Sequence, residues 1–453
     1  MYLVFTIQPY LRMYYLRGAI GIIVLVFIAF LFSKHKKNID WKLVGIGILL
    51  QLIFGFLVIK VPFVREIFAT VSRGFVIFLD FSREGAKFVF GELATSYAAG
   101  NPEATHQLGF IFAFQVLPTV IFFSTVSAGL YYLGILQKIV FGIAWVMSRT
   151  MRLSGAESLS AAGNIFLGQT EAPLLVRPFV PNMTKSELLC LMTGGMATIA
   201  GGVLAAYVTF LGGDDPVLRA QFAAHLLSAS IMNAPAGIVM SKILLPEMEA
   251  DKIDTKLKVN KDSLGVNIID AMSTGAADGL KLALNIGGML LAFIAVIALL
   301  NYILANMIGE ATGLNTWVQQ NSDGSFQRFS FEYILGQIFR PLAFIMGVEW
   351  KDSLEVGSLL GQKTAINEFV GYLGLSQMKL EGVLSPRSII IATYALCGFS
   401  NFSSIAIQIG GIGSMAPNQQ GNLSRLGLTA LLGATLACMM SATVAGALIG
   451  DVQ

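Results

Sequence analysis

Charged residues are scarce in this chain. Only 13% of its 453 residues are Asp, Glu, Lys or Arg, whereas soluble globular proteins typically carry about 25%. Hydrophobic residues make up 55% of the sequence, and the mean hydropathy is +0.71. This composition excludes an ordinary soluble protein and predicts a single membrane domain of many helices.

Cysteine and histidine are also rare, with three residues of each. Cys190, Cys397 and Cys438 lie in apolar segments without metal-binding or redox spacing, so we interpret them as small core residues. The sequence has no phosphate-binding loop, which argues against a nucleotide-driven pump and favours an ion gradient as the energy source. Nothing in it indicates catalysis, nucleic-acid binding or a resident cofactor.

Long apolar runs are abundant, and most approach the ~20 residues that cross a bilayer. Two of these runs are interrupted by glycine and polar residues, and together with the intact ones they predict eight transmembrane helices. Three of the four amphipathic segments between them, 61–107, 136–153 and 329–350, are predicted to lie at the membrane interface, and the fourth, 266–281, leads into the span 282–308. The intact spans are 18–32, 43–59, 109–133, 222–244, 282–308 and 426–449; the interrupted spans are 188–211 and 388–409; the amphipathic segments are 61–107, 136–153, 266–281 and 329–350.

A lysine cluster predicts the orientation. Lys34, Lys36, Lys37 and Lys42 lie between the first two spans. Because positively charged loops favour the cytoplasmic side, the amino terminus is predicted to be outside.

The stretch 160–180 combines Gln169, Thr170 and Glu171 with glycine and proline. A carboxylate at membrane depth costs roughly 3 kcal/mol and normally faces a bundle interior or a wet cavity. Pro173 removes a backbone donor and disfavours helix at Ala172. The stretch is too short to cross twice, so it predicts a re-entrant hairpin made of two half-helices, a structure that membranes tolerate around a substrate or ion site.

The same layout recurs later in the chain. Residues 357–374 carry Asn367 and Glu368 at their centre, and the interrupted spans break near Thr198 and Asn401. We interpret this order as an inverted repeat with its ligand near the membrane midplane. The predicted units are the amino-terminal spans and scaffold (1–153), a first repeat (154–245), a loop with a scaffold span and an interfacial helix (246–350), and a second repeat (351–453).

Amide, hydroxyl and carboxylate groups converge in this plan, which suits a neutral polar ligand. The alternative is that they bond to one another and stiffen helix packing. Asn164 and Thr198 are candidate cation ligands, although Asn164 is equally suited to capping the hairpin. His225 is interpreted as a packing residue, and Lys363 either neutralises Glu368 or extends to the surface.

Four motifs closely resemble those of the concentrative nucleoside transporters: GNIFLGQTEAPLL (163–175), MATIAGGVL (196–204), NEFVGY (367–372) and SPRS...ALCGFSNFSSIAI (385–407). The resemblance implies an all-α polytopic protein with eight spans, two re-entrant hairpins and three interfacial helices. It further implies a homotrimer in a bacterial cytoplasmic membrane, whose transport domain moves like an elevator against a scaffold, and a symporter that imports nucleosides with a cation.

Site residues follow from the same resemblance. It implies a ribose site at Glu368, Asn401 and Ser404. It implies a Na⁺ site at Asn164 and the Thr198 hydroxyl, with the carbonyls of Leu167, Thr198 and Ile199. The nucleobase is expected against Gln169, Thr170, Glu171, Val203 and Phe399. The resemblance makes Na⁺ the first expectation for the coupling ion. H⁺ is the alternative, because many relatives have serine where this chain has Thr198, with the same hydroxyl but one methyl group fewer, and some bacterial relatives use protons. A channel or a carrier for another small polar ligand, a receptor or scaffold, and a membrane enzyme are the rival functions.

Overall fold

The computed structural model describes residues 9–94, 111–255, 257, 265–322 and 324–450, which are helical with no strand among them. Short 3₁₀ segments and one π-helical segment, Ile303–Gly309, connect or extend the α-helices. In chain order the α-helices are α1 (Pro9–Leu31), α2 (Trp41–Lys60), α3 (Pro62–Phe90), α4 (Phe112–Gln115), α5 (Leu117–Tyr132), α6 (Ile135–Met151), α7 (Gly155–Gly163), α8 (Lys185–Ala197), α9 (Gly201–Gly212), α10 (Pro216–Leu244), α11 (Ile268–Tyr302), α12 (Glu310–Thr312), α13 (Leu314–Asn321), α14 (Phe331–Ile345), α15 (Ser353–Ala365), α16 (Glu368–Leu380), α17 (Pro386–Leu396), α18 (Phe402–Met415) and α19 (Gln420–Ile449).

Within the described ranges, seven helical segments are long and apolar enough to cross a membrane. They contain α1, α2, α4 with α5, α8 with α9, α10, α11 and α19. The eighth predicted span, 388–409, consists of α17 and α18, of 11 and 14 residues. The all-α polytopic fold is confirmed, and the count of eight spans stays a prediction.

Hairpin 1, residues 155–182, differs in its second limb from the two half-helices that the sequence predicts. Its first limb is α7, but after the turn only the 3₁₀ segments Ala172–Val176 and Val180–Asn182 follow. Pro173, Pro178 and Pro181 recur along this limb. Each proline lacks a backbone donor, so a regular α-helix cannot continue there.

Hairpin 2, residues 353–380, has two α-helical limbs. α15 and α16 are separated only by Ile366 and Asn367. The Asn367 side chain accepts a hydrogen bond from the Val370 amide at 3.0 Å and so caps α16. Glu368 is therefore the first residue of that helix.

Both interrupted spans break where the sequence predicts. α8 ends at Ala197 and α9 begins at Gly201, and Thr198 between them is extended with φ −109° and ψ 171°. α17 ends at Leu396 and α18 begins at Phe402.

α11 is one helix of 35 residues, so the amphipathic stretch 266–281 continues without a break into the predicted span 282–308. No proline lies between 268 and 302, and Asn267 caps the start by accepting from the Asp270 amide at 2.9 Å. α11 packs closely on α5 through two glycines: a Cβ atom on Gly275 would lie 2.7 Å from the Ser124 carbonyl oxygen, and one on Gly279 would lie 2.8 Å from the Ile121 Cα.

A buried cation joins the start of each interrupted span to the end of the span that follows it. In the first half, Lys242 near the end of α10 donates to Ser186 in α8 at 2.9 Å and pairs with Glu157 of hairpin 1 at 2.5 Å. In the second half the cation belongs to the interrupted span, because Arg387 in α17 donates to the carbonyl oxygens of Gly446 and Gly450. In both halves the interrupted span is thus bonded to the span that follows it. The cation lies on the following span in the first half and on the interrupted span in the second half.

Candidate functional site

Glu368 is buried, with 2% of its surface exposed. Its carboxylate accepts hydrogen bonds from the Tyr207 hydroxyl at 2.9 Å and from the Asn401 side-chain amide at 2.8 Å. Its place at the first turn of α16 sets the negative charge where the helix dipole favours it. The carboxylate is therefore held in one orientation by α9, α16 and the break before α18.

A chain of hydrogen bonds leads from Glu368 to hairpin 1. The Asn401 side-chain oxygen accepts from the Ser404 backbone amide at 2.9 Å, and the Ser404 hydroxyl accepts from the Gln169 amide at 3.0 Å. Gln408 continues it by donating to the Gln169 oxygen at 3.2 Å and to the Met192 carbonyl oxygen at 3.1 Å. Groups from the two halves thus form one buried polar network, as buried polar groups require.

Glu171 is exposed, and it faces a cavity of about 120 Å³. One carboxylate oxygen accepts from the Gly168 backbone amide at 3.0 Å, within its own turn. Val203 and Ala200 line the same cavity, while Asp278 and Thr274 of α11 line the opposite wall. The cavity therefore lies between the α5–α11 pair and the tip of hairpin 1.

Two further predicted base contacts lie on neighbouring elements. Thr170 is exposed at the turn, where a Cβ atom on Gly411 of α18 would lie 3.1 Å from its methyl carbon. Phe399 lies in the second break and is 9% exposed. The structure thus places hairpin 1, α9 and the second break around one region.

The predicted ion ligands lie at the end of α7 and in the first break. Asn164 is 1% exposed, and its side-chain oxygen has no hydrogen-bond partner. A Cβ atom on Gly194 would lie 3.2 Å from the Asn164 amide nitrogen, and the Gly194 carbonyl oxygen accepts from the Thr198 hydroxyl at 2.9 Å. Leu167 and Ile199 are buried as well. An orphaned amide oxygen near a hydroxyl and a helix end is a donor set that suits a hard monovalent cation.

The structure excludes one of the two alternatives for Lys363 and shows which ring His225 contacts. Lys363 does not extend to the surface, because it is 2% exposed and donates to the Ala395 carbonyl oxygen at 2.9 Å. His225 packs edge-on against the Tyr394 ring, with centroids 5.8 Å apart.

Glu171 and Glu368 do not share the cavity of about 120 Å³ described above. Glu368 is absent from the residues that line the cavity at Glu171. The hydrogen-bond chain from Glu368 reaches hairpin 1 at Gln169, two residues before Glu171, whereas the Glu171 carboxylate accepts from the Gly168 amide. Glu368 is enclosed by side chains, and Glu171 opens into the cavity.

Sequence reasoning missed Tyr207, Asn233, Asp278 and Gln408 as site residues. Gln408 and Asn233 are buried amides in apolar helices, so the argument that singled out Glu171 applies to them as well. Tyr207 gives no such signal, because tyrosine is common in apolar runs. Asp278 was assigned to an amphipathic segment, and only the single long α11 brings it to the cavity.

Comparison with family models gives three matches that follow one another along the chain. Residues 20–93 match a model described as the Na⁺ dependent nucleoside transporter N-terminus, residues 113–214 one described as nucleoside recognition, and residues 225–446 the Na⁺ dependent nucleoside transporter C-terminus.

Curated relatives and solved structures cover nearly the whole chain. An uncharacterized transporter of Bacillus subtilis, YutK, is 40% identical over 95% of this chain and 99% of its own length. Mouse solute carrier family 28 member 3 is 40% identical over 94% of this chain, which spans only 58% of the mouse protein. The structure of CNTnw in an inward-facing substrate-bound state superposes with a TM-score of 0.84 at 37% identity, covering 96% of this chain and 99% of CNTnw. A doubly substituted CNTnw in an outward-facing state gives the same score and identity.

Proposed function

Because this chain belongs to the Na⁺-dependent nucleoside transporter family, which consists of transporters and not enzymes, we propose that it is a secondary active symporter. It imports nucleosides together with a cation by elevator-type alternating access. Na⁺ is the first candidate for the coupling cation, and H⁺ is the alternative. The observation that carries the proposal is the buried Glu368 carboxylate, held by Tyr207 and Asn401 and connected to hairpin 1.

The ribose binds at Glu368, Asn401 and Ser404. A ribose diol offers two adjacent hydroxyl donors, which a fixed carboxylate accepts through strong charge-assisted bonds. Preorganisation by Tyr207 and Asn401 supports this role, because the carboxylate needs no reorientation when the sugar arrives. Asn401 supplies a donor beside it, because its side-chain amide has a second hydrogen besides the one bonded to Glu368, while its oxygen already accepts from Ser403 and Ser404.

The nucleobase binds at the turn of hairpin 1. Gln169, Thr170 and Glu171 offer donors and acceptors to the edge of the base, and Val203 and Phe399 supply apolar contact. Glu171 is the base contact best placed for this, since its carboxylate opens into the cavity instead of being enclosed. The cavity of about 120 Å³ is smaller than a typical ligand pocket of about 300 Å³. We therefore propose that part of the ligand volume opens on binding.

The cation binds at Asn164, the Thr198 hydroxyl and the carbonyls of Leu167, Thr198 and Ile199. The unpartnered Asn164 oxygen supports this assignment, because a buried acceptor without a partner costs free energy that a bound cation offsets. Na⁺ is cargo of the transport cycle, and its binding would order the first break, which lies beside the nucleoside site.

The proposal of an elevator mechanism is supported by the difference in burial between the outer and the inner helices. Only 17% of the most apolar stretch of α11 is buried within the chain, against 94% for α8 with α9. α11 and α5 pack tightly on each other, and the cavity lies between them and the inner elements. We propose that α5 and α11 belong to a scaffold, that α11 contributes to a homotrimer, and that both repeats move against it.

The charge distribution supports an orientation of the chain in the membrane. We propose a bacterial cytoplasmic membrane, with the amino terminus outside and the lysines between α1 and α2 in the cytoplasm.

Uptake of radiolabelled uridine into proteoliposomes tests the proposal. An inward Na⁺ gradient is expected to drive accumulation above the equilibrium level, and a K⁺ gradient of equal size is not. Accumulation driven by a pH gradient alone identifies the proton-coupled alternative. Equilibration without accumulation indicates a channel, and the absence of uptake contradicts transport of nucleosides.

A further inference from the structure

The two helix breaks lie directly against each other. Gly398, in the second break, has φ +130°, and a Cβ atom there would lie 2.5 Å from the Ala197 carbonyl oxygen at the first break. The same Cβ atom would lie 2.8 Å from the Cys438 sulfur. Only glycine fits this position, which brings the two unwound segments into backbone contact.

Asn233 connects the two breaks from a third element. It lies on α10, is 0% exposed, and its side-chain amide donates to the carbonyl oxygens of Ala197 at 2.7 Å and Cys397 at 3.0 Å. Ala197 is the last residue of α8 and Cys397 directly follows α17, and carbonyls at a helix end have no partner within their own helix. One NH₂ group thus uses both of its hydrogens, one for each repeat.

Cys438 on α19 contacts the same two acceptors. Its sulfur lies 2.9 Å from the Cys397 carbonyl oxygen and 3.4 Å from that of Ala197. The thiol has a single hydrogen, so it donates to the nearer oxygen. The Asn233 side-chain oxygen has no partner, and reversing the amide would set that oxygen against two carbonyls, so the orientation is fixed.

The two carbonyl oxygens that bind the Asn233 amide belong to residues that come just before the proposed ligand contacts. Ala197 is followed by Thr198 and Ile199 of the cation site, and Cys397 lies two residues before Phe399 of the nucleoside site. Any displacement of one break changes its contact with Asn233 and with the other break.

We propose that Asn233, assisted by Cys438, is a positioning residue that couples cation binding to nucleoside binding. This inference rests on the proposed function. Ordering of the first break by the cation fixes the Asn233 amide, which in turn fixes the second break before the nucleoside binds. Coupling of this kind is a free energy shared between two sites.

The test is the ratio of the uridine Kd in K⁺ to that in Na⁺, measured by calorimetry on the purified chain at equal ionic strength. The wild-type ratio is expected to be about 10 or more, within the usual range of such couplings. Asn233→Leu, which keeps the volume and removes the donor, is expected to lower the ratio to within about twofold of 1. The Kd in K⁺ is expected to stay within about threefold of wild type, because Asn233 touches neither ligand.

Cys438→Ala keeps the proposal testable if Asn233→Leu does not fold, since Asn233 still satisfies both carbonyls. It is expected to lower the ratio about threefold, and Cys438→Ser, which retains a donor, is expected to restore it. Thr443→Val in α19 is the matched control, because this side chain is fully buried and its hydroxyl donates to the Met439 carbonyl oxygen in its own helix.

If folded Asn233→Leu keeps the wild-type ratio, the coupling role is overturned and the proposed function stays intact. The same conclusion holds if Asn233→Leu does not fold and Cys438→Ala keeps the wild-type ratio. If wild-type uridine affinity responds to pH and not to Na⁺, the same ratio is measured between two pH values. Absence of uridine binding by the wild-type chain overturns the proposed function, and the coupling with it.

Discussion

Hairpin 1 and hairpin 2 each place one glutamate at a turn, but they surround it differently. Glu368 in hairpin 2 begins a regular α-helix and is enclosed by Tyr207 and Asn401. Glu171 in hairpin 1 precedes a 3₁₀ limb and bonds only to the Gly168 amide of its own turn, with the rest of the carboxylate open to a cavity.

The difference separates two kinds of ligand contact. A carboxylate fixed by two protein donors presents one geometry, which suits an invariant group such as the ribose diol. A carboxylate with one local contact adapts to its ligand, which suits a base whose edge varies between nucleosides. We therefore expect loss of Glu368 to affect binding of every ribonucleoside, and loss of Glu171 to affect the choice among bases.

The largest effect is expected from Glu368→Gln. It keeps the size of the side chain but removes the charge that the ribose hydroxyls need, at a cost of roughly 3 kcal/mol or about 100-fold in uptake. Radiolabelled uridine uptake into proteoliposomes measures it, with size-exclusion chromatography confirming a folded protein. Uptake at the wild-type level would refute the ribose role.

The next effect concerns the cation. Asn164→Leu removes the unpartnered oxygen and is expected to abolish the dependence of uridine affinity on Na⁺, a loss of about tenfold at saturating Na⁺. Thr198→Ser keeps the hydroxyl and is the matched control, expected to retain the dependence. A Na⁺ response that survives in Asn164→Leu excludes this site for the coupling ion.

Tyr207→Phe tests whether Glu368 is held in place by the protein. It removes one donor to the carboxylate and is expected to weaken uridine binding about tenfold, since a hydrogen bond to a charged group contributes roughly 1.5 kcal/mol. Calorimetric titration with uridine measures the change.

Tyr372→Phe is the control for Tyr207→Phe. The two rings stack with centroids 4.1 Å apart, but the Tyr372 hydroxyl donates to the Thr393 carbonyl oxygen. We expect it to lower the thermal unfolding midpoint without changing uridine affinity. Equal losses of affinity in both variants would attribute the effect to packing.

The smallest effect is expected from Glu171→Gln. The amide oxygen of glutamine is still able to accept from Gly168, so stability should not change, and uridine affinity is expected to fall about threefold. Competition with a panel of purine and pyrimidine nucleosides measures the rank order. An unchanged order would show that the open carboxylate does not discriminate among bases.

Much of the fold follows from the sequence because apolar length and helix-breaking residues act locally. The breaks near Thr198 and Asn401 and the turn at Glu368 were predictable from glycine, proline and polar residues in apolar runs. The 3₁₀ limb of hairpin 1 needed the joint effect of three prolines. The sequence predicts that the amphipathic stretch 266–281 leads into the span 282–308, and α11 joins the two in one helix.

The candidate site was predictable only where a charge stood out. Glu171 and Glu368 are costly in a membrane, so the sequence points to them directly. Tyr207, Gln408 and Asn233 act by long-range contact between helices far apart in the chain, and no local pattern encodes which side chains meet. The hydrogen bonds from the Asn233 amide to both breaks depend on how α8, α10, α17 and α19 pack together, so the sequence alone does not predict them.

The most direct test of the ribose site compares uridine with 2′,3′-dideoxyuridine by calorimetry in the wild type and in Glu368→Gln. The account predicts that the wild type prefers uridine by about 30-fold, because the dideoxy ligand leaves the buried carboxylate without its hydroxyl donors, and that Glu368→Gln binds the two ligands within about threefold of each other. Equal affinity of the wild type for both ligands, or an undiminished preference in Glu368→Gln, would contradict it.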